Sequence, residues 1–132
     1  MGRKKKHSLP FDTRGGRIVS QGILVDSPQF LALSPQAKTL MTPLMHRRWR
    51  PDEPVAFGCR EAEEKIPCSR KLAMRAFREL QDAGFIVMVD ESFFDSRTNS
   101  KSRTWRLTWL PFRGRKPTND WEKIASENDS KN

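Results

Sequence analysis

From residue 34 onward the apolar positions Ala37, Leu40, Met41, Leu44, Met45 and Trp49 recur at three-and-four spacing, which predicts a helix with one buried face. Ser34 stands as its N-cap and Pro35 at the first helical position, where a missing N–H costs nothing. Pro43 interrupts the pattern and predicts a kink or a split into two helices, and Pro51 and Pro54 end it. Upstream, Arg17 to Val25 mixes apolar and polar positions and is expected to form a short extended segment. The turn signal Asp26-Ser27-Pro28 follows, set to cap one helical turn through Phe30 and Leu31.

Val55-Ala56-Phe57 is a short β-type run closed by Gly58. A second helix is expected from Cys59 or Arg60 to Ile66, with Ala62 and Ile66 one turn apart on the inside and Pro67 as its stop. Ser69 then caps a third helix that runs to Ala83 and ends in Gly84. Leu72, Ala73, Ala76, Phe77 and Leu80 fall on one face of it, while Lys71, Met74, Arg75 and Arg78 point the other way with Arg70 on the flank. After Gly84 the period becomes that of a strand. Phe85 to Val89 is rich in β-formers, Phe93 and Phe94 close the segment, and a polar stretch runs from Asp95 to Ser102. In Arg103 to Trp109, Trp105, Leu107 and Trp109 alternate with Thr104, Arg106 and Thr108, the mark of a half-buried strand. The two strands form a hairpin with a long polar loop, ended by Pro111. A last short helix, capped by Thr118 or Asn119 and carrying Trp121 and Ile124, is expected to fold back on the body.

The order helix, short strand, helix, tight turn, helix, β-hairpin predicts a mainly α fold with a small β-wing, the layout of a winged helix-turn-helix. In that layout the second helix braces the third, whose outer face lies in a major groove about 12 Å wide. Ser69, Arg70, Lys71, Met74 and Arg75 then become the candidates for reading base edges. Arginine or lysine bonds guanine O6 and N7, and a methionine touches a thymine methyl. Arg78 is placed towards the DNA backbone, and Arg97, Lys101 and Arg103 of the wing on phosphates or in the minor groove.

Charge sharpens this picture. Twenty-five Lys and Arg against sixteen Asp and Glu leave a net charge of +9, a field that favours polyanions. The excess is concentrated: residues 1–25 hold six basic residues and one acid, Asp12, and residues 97–116 hold seven basic residues and no acid. Residues 1–16, with Arg3, Lys4, Lys5 and Lys6, read as a flexible basic arm, 17–125 as the domain with its extensions, and 126–132 as a disordered tail. A plainer reading stands beside each of these: a solvated cationic helix face, an exposed hairpin loop, a soluble tail.

The sequence also resembles the winged helix proteins of bacterial prophages, plasmids and integrative elements. The likeness is carried by Leu33-Ser34-Pro35-Gln36-Ala37-Lys38, by Arg60-Glu61-Ala62, and by Arg75-Ala76-Phe77-Arg78-Glu79-Leu80 leading into Ala83-Gly84-Phe85-Ile86. The strand Trp105-Arg106-Leu107-Thr108, followed by Pro117-Thr118-Asn119-Asp120-Trp121, completes it, over residues 18 to 122. The resemblance implies DNA binding in proteins that regulate transcription or start replication of mobile elements. Fold and function separate easily, so it does not choose between those jobs.

Other chemistry finds little support. The two histidines, His7 and His46, lie far apart in the chain, and Cys59 and Cys68 are too widely spaced for a Cys-x-x-Cys pair. Gly15-Gly16 is not followed by the Gly-Lys-Ser/Thr of a phosphate loop, and Glu61, Glu63 and Glu64 read as a solvated face. The four tryptophans read as packing residues before a stacking platform for single strands. The expectation is therefore a non-enzymatic, cofactor-free, sequence-specific binder of double-stranded DNA in the bacterial cytoplasm, on the nucleoid and with no membrane attachment. It is read as a transcriptional regulator or accessory factor of a mobile element, with a homodimer on a palindrome left open. Three alternatives stay open: a replication initiator on origin repeats recruiting a protein partner through Trp121 and the C-terminal segment, a protein-interaction module, and an RNA binder.

Overall fold

The computed structural model describes residues 12, 14–47, 53–90, 94–95, 100–101 and 103–123. Helices and a small antiparallel sheet share one apolar core. In chain order the elements are α1 (Gly22–Val25), α2 (Pro28–Leu31), α3 (Pro35–Arg47), β1 (Val55–Ala56), α4 (Cys59–Lys65), α5 (Arg70–Asp82), β2 (Ile86–Asp90), β3 (Phe94–Asp95), β4 (Ser100–Lys101) and β5 (Thr104–Leu107). Among the described residues no helix is long and apolar enough to cross a membrane.

The segment expected to be extended departs from that expectation at its end. Gly22–Val25 is a single helical turn, closed by amide bonds from Leu24 and Val25 to the Gln21 carbonyl at 3.1 and 3.3 Å. The turn drives Leu24 into the core and leaves Ile23 and Val25 at the surface, so one buried contact overrides the strand preference of β-branched neighbours. Ser27 caps α2 by accepting from the Phe30 amide. In α3 the Ser34 hydroxyl accepts from the Ala37 amide at 3.2 Å. This helix neither splits nor stops at Pro43: it runs unbroken to Arg47. Leu40, Met41 and Leu44 are buried on both sides of the proline, and their packing offsets the one backbone hydrogen bond that proline removes.

Helix α5 carries the inner face expected of it, with Ala73, Ala76, Phe77 and Leu80 buried and Leu72 half-buried at the edge. It ends where Gly84 takes φ +84°. There the Gly84 amide reaches the Gln81 carbonyl at 3.0 Å and the Phe85 amide the Leu80 carbonyl at 2.9 Å. This paired closure needs a left-handed residue, and glycine adopts that conformation without strain. The chain leaves it directly as β2.

The main sheet has the order β1-β5-β2, antiparallel throughout. β5 is central, and its Trp105 stacks on Phe77 of α5 with ring centroids 5.1 Å apart. The β2–β5 register slips between Met88 and Asp90, so Val89 is an extra residue that bends the hairpin. Beyond the bend the ribbon resumes: Phe94 and Asp95 of β3 pair with Lys101 and Ser100 of β4. The polar stretch from Asp95 to Ser102 is therefore partly paired strand and not wholly loop, because Asp95, Ser100 and Lys101 bond across a second, two-stranded sheet.

The alternation expected in β5 also fails at Thr104 and Thr108, both buried. Thr108 is wrapped by polar partners: its hydroxyl donates to the Gly84 carbonyl at 2.7 Å and its amide to the Phe85 carbonyl at 3.0 Å. Its own carbonyl accepts from the Asn119 amide at 2.9 Å. Asn119, at φ +47°, turns the chain into a last helical turn at residues 120–123. That turn lays Trp121 on Phe85, with ring planes 12° apart.

Candidate nucleic-acid interface

Residues 66–69 join α4 to α5, and both helices pack with α3 around Ala37, Leu40, Ala62, Ala73 and Phe77. With one side of α5 committed to this core, helical periodicity forces Arg70, Lys71, Met74, Arg75 and Arg78 outward, and all five are exposed. None of the four cations pairs with an acid among the described residues, so their charge is not neutralised there. Met74 keeps 42% of its surface and puts an apolar spot among them.

Ser69 sits at the start of this face in a structural role. Its hydroxyl oxygen accepts from the Leu72 amide at 3.2 Å, the N-cap of α5. The hydroxyl proton is left to donate outward. Arg103 is exposed at the start of β5, and its carbonyl accepts from the Phe57 amide at 3.0 Å, which extends the β1–β5 pairing. It thus stands where the hairpin leaves the sheet and not at the hairpin tip. Lys101 lies in β4 opposite Phe94. Arg97, Arg3, Lys4, Lys5 and Lys6, with Trp49 and Ile124, lie outside the described residues. The structure thus gathers the five α5 residues on one face, places Lys101 and Arg103 along the hairpin, and draws Trp121 into the core at 3% exposure, where it cannot recruit a partner.

Three features of the neighbourhood were not legible in the sequence. The Glu79 carboxylate on α5 accepts from the Ser34 amide at 2.9 Å and so ties α5 to the start of α3. Glu61, read above as a solvated residue, forms an ion pair with Arg47. The same guanidinium donates to the Ala56 carbonyl at 3.3 Å and lies over the Phe57 ring, joining α3, β1 and α4. In the region 12–16, the Asp12 carboxylate is paired with Arg14, which holds its carboxyl below the usual range. Part of the N-terminal positive charge is thus neutralised locally. No sequence signal short of a contact pattern marks these partners, since each pair is far apart in the chain or ordinary in type.

The two cysteines are free and pack half-buried against the core. Among the described residues no group of three His, Cys, Asp or Glu side chains is placed to hold a metal ion. No protein-family model, curated protein or solved structure matches this chain.

Proposed function

We propose that this protein is a winged helix-turn-helix protein that binds double-stranded DNA sequence-specifically, as a transcriptional regulator or an accessory factor of a mobile element. One observation carries the reading: α5 devotes one face to the core and leaves Arg70, Lys71, Met74, Arg75 and Arg78 exposed on the other, the cations with no acid partner among the described residues. Helix α4 precedes it across a four-residue turn, from 66 to 69, and a bent hairpin follows it. A helix so braced fits a major groove, with its N-terminal residues nearest the base edges.

On this reading Arg70, Lys71 and Arg75 discriminate bases, while Arg78 and the hairpin cations Lys101 and Arg103 contact phosphates. Immunoprecipitating the tagged protein from cells and sequencing the bound DNA is expected to give sharp peaks with a shared motif. In vitro, replacing Arg70 or Arg75 by Ala should cost about 1–3 kcal/mol on that motif and much less on random duplex. A ratio of specific to random affinity that stays constant in both variants would overturn the assignment.

A further inference from the structure

Four of the seven cations in residues 97–116 lie apart from the α5 face and from the hairpin positions Arg97, Lys101 and Arg103, and the fold gathers them in one place. Arg106, Arg113, Arg115 and Lys116, with Phe112 and Thr118, line a cleft of about 440 Å³. A two-residue hairpin makes its rim. The amides and carbonyls of Phe112 and Arg115 are mutually bonded at 3.1 and 3.0 Å, and Arg113 and Gly114 between them take φ +52° and +75°. Two successive left-handed residues are the geometry of a tight type I′ turn, which glycine at the second place favours. The turn sets the backbone positions of Arg113 and Arg115, with the Arg113 guanidinium 4.8 Å from the Phe112 ring centroid.

The floor is equally built. Arg106 lies between Trp105 and Leu107, which are buried in the core, so strand alternation aims it off the sheet face turned away from α5. It donates to the Thr118 hydroxyl at 2.7 Å and lies 3.9 Å from the Asp120 carboxylate, the one acid in contact with it among the described residues. These contacts hold the segment leading to Trp121 across the sheet and shape the cleft. Arg115 and Lys116 are exposed at its mouth. A concave site with three guanidinium forks, an ammonium and a hydroxyl matches the oxygens of a phosphate group, which arginine binds bidentately.

We infer that this cleft is a phosphate-binding site, separate from the α5 face, that takes a backbone phosphate of nucleic acid. The choice of nucleic acid as the source rests on the DNA-binding reading above; the affinity for phosphate rests on the cleft alone. Two measurements on the full chain separate them. In amide-resolved NMR, inorganic pyrophosphate should move the signals of residues 106 and 112–118 saturably, while sodium chloride at equal ionic strength should not. Shifts no larger than those with chloride, or spread equally over residues 70–78, would overturn the site.

In the second measurement the double variant Arg115→Ala/Lys116→Ala, at two exposed positions, binds random-sequence duplex across a salt series. It should bind more weakly than the parent, with a slope of log K against log salt shallower by about 1.8, near 0.9 for each phosphate no longer neutralised. Arg70→Ala/Arg75→Ala should leave the pyrophosphate shifts intact. Saturable pyrophosphate shifts with an unchanged DNA slope would assign the cleft to a small phosphate compound and overturn the nucleic-acid source. If the parent binds no duplex at all while pyrophosphate still saturates the cleft, the reading of α5 falls and the phosphate site stands.

Discussion

Trp105 and Trp109 are both buried in one strand and its turn, yet they differ in how their indole N–H is treated. Trp105 donates to the Phe57 carbonyl at 2.9 Å, whereas Trp109 finds no acceptor among the described residues. Replacing Trp105 by Phe removes a donor from a buried carbonyl and leaves a gap beside Phe77, a loss of about 2–3 kcal/mol. Trp109→Phe leaves a similar gap but also removes an unsatisfied donor, so the loss should be smaller by about 1 kcal/mol. Urea midpoints of the two variants, compared at equal m-value, check the order. Glu79→Ala strips the Ser34 amide of its carboxylate partner and should cost about 1 kcal/mol by the same assay. Its position on a helix with exposed cations gave no hint of this bond; only the approach of α3 creates it.

At the scale of the element, α5 is specified twice, by its ends and by its faces. Ser69→Ala should weaken it by about 1 kcal/mol through loss of the cap. Gly84→Ala should cost about 1–2 kcal/mol, since φ +84° is strained for any residue with a Cβ. Thermal unfolding of each variant measures both. Arg75→Ala, by contrast, should leave stability within about 0.5 kcal/mol of the parent, because the side chain is exposed and pairs with no acid among the described residues. That separation lets a DNA-binding defect in Arg75→Ala be read as a missing guanidinium at the DNA and not as unfolding. The long α3 makes the complementary point. Pro43 is a local breaker, but Leu40, Met41 and Leu44 on either side are held by the core.

For the whole molecule, charge and shape combine. The core consumes the apolar faces of α3, α4, α5 and the inner face of the sheet, leaving the exposed face of α5 and the cleft beyond β5 as two distinct cationic surfaces. With a net charge of +9, binding to any duplex should weaken steeply with salt. If the two surfaces act independently, as distant sites usually do, losses from Arg78→Ala and from Arg115→Ala/Lys116→Ala on random duplex should add within about 0.5 kcal/mol. A mutant cycle that combines the two changes in one protein measures the coupling. Strong coupling would mean that the two surfaces engage the same few phosphates.

Local signals in the sequence determined a good deal. The caps Ser34 and Ser69, the stop at Gly84 and the three-and-four spacing of Ala73, Ala76, Phe77 and Leu80 are local, and local rules suffice to place α3, α4 and α5 and to divide α5 into an inner and an outer face. The paired basic and apolar patterns around Trp105 likewise placed the hairpin. What the tertiary structure alone decided depends on residues distant in the chain meeting in space. Leu24 turns helical because the core has a place for it, Thr108 is buried where Gly84, Phe85 and Asn119 bond its polar groups, and Trp121 is a core residue because it lands on Phe85. The cleft belongs to this second kind: four cations and a threonine scattered over residues 106–118 become one site only when a tight turn and an Arg106–Thr118 bond fold the chain back across the sheet.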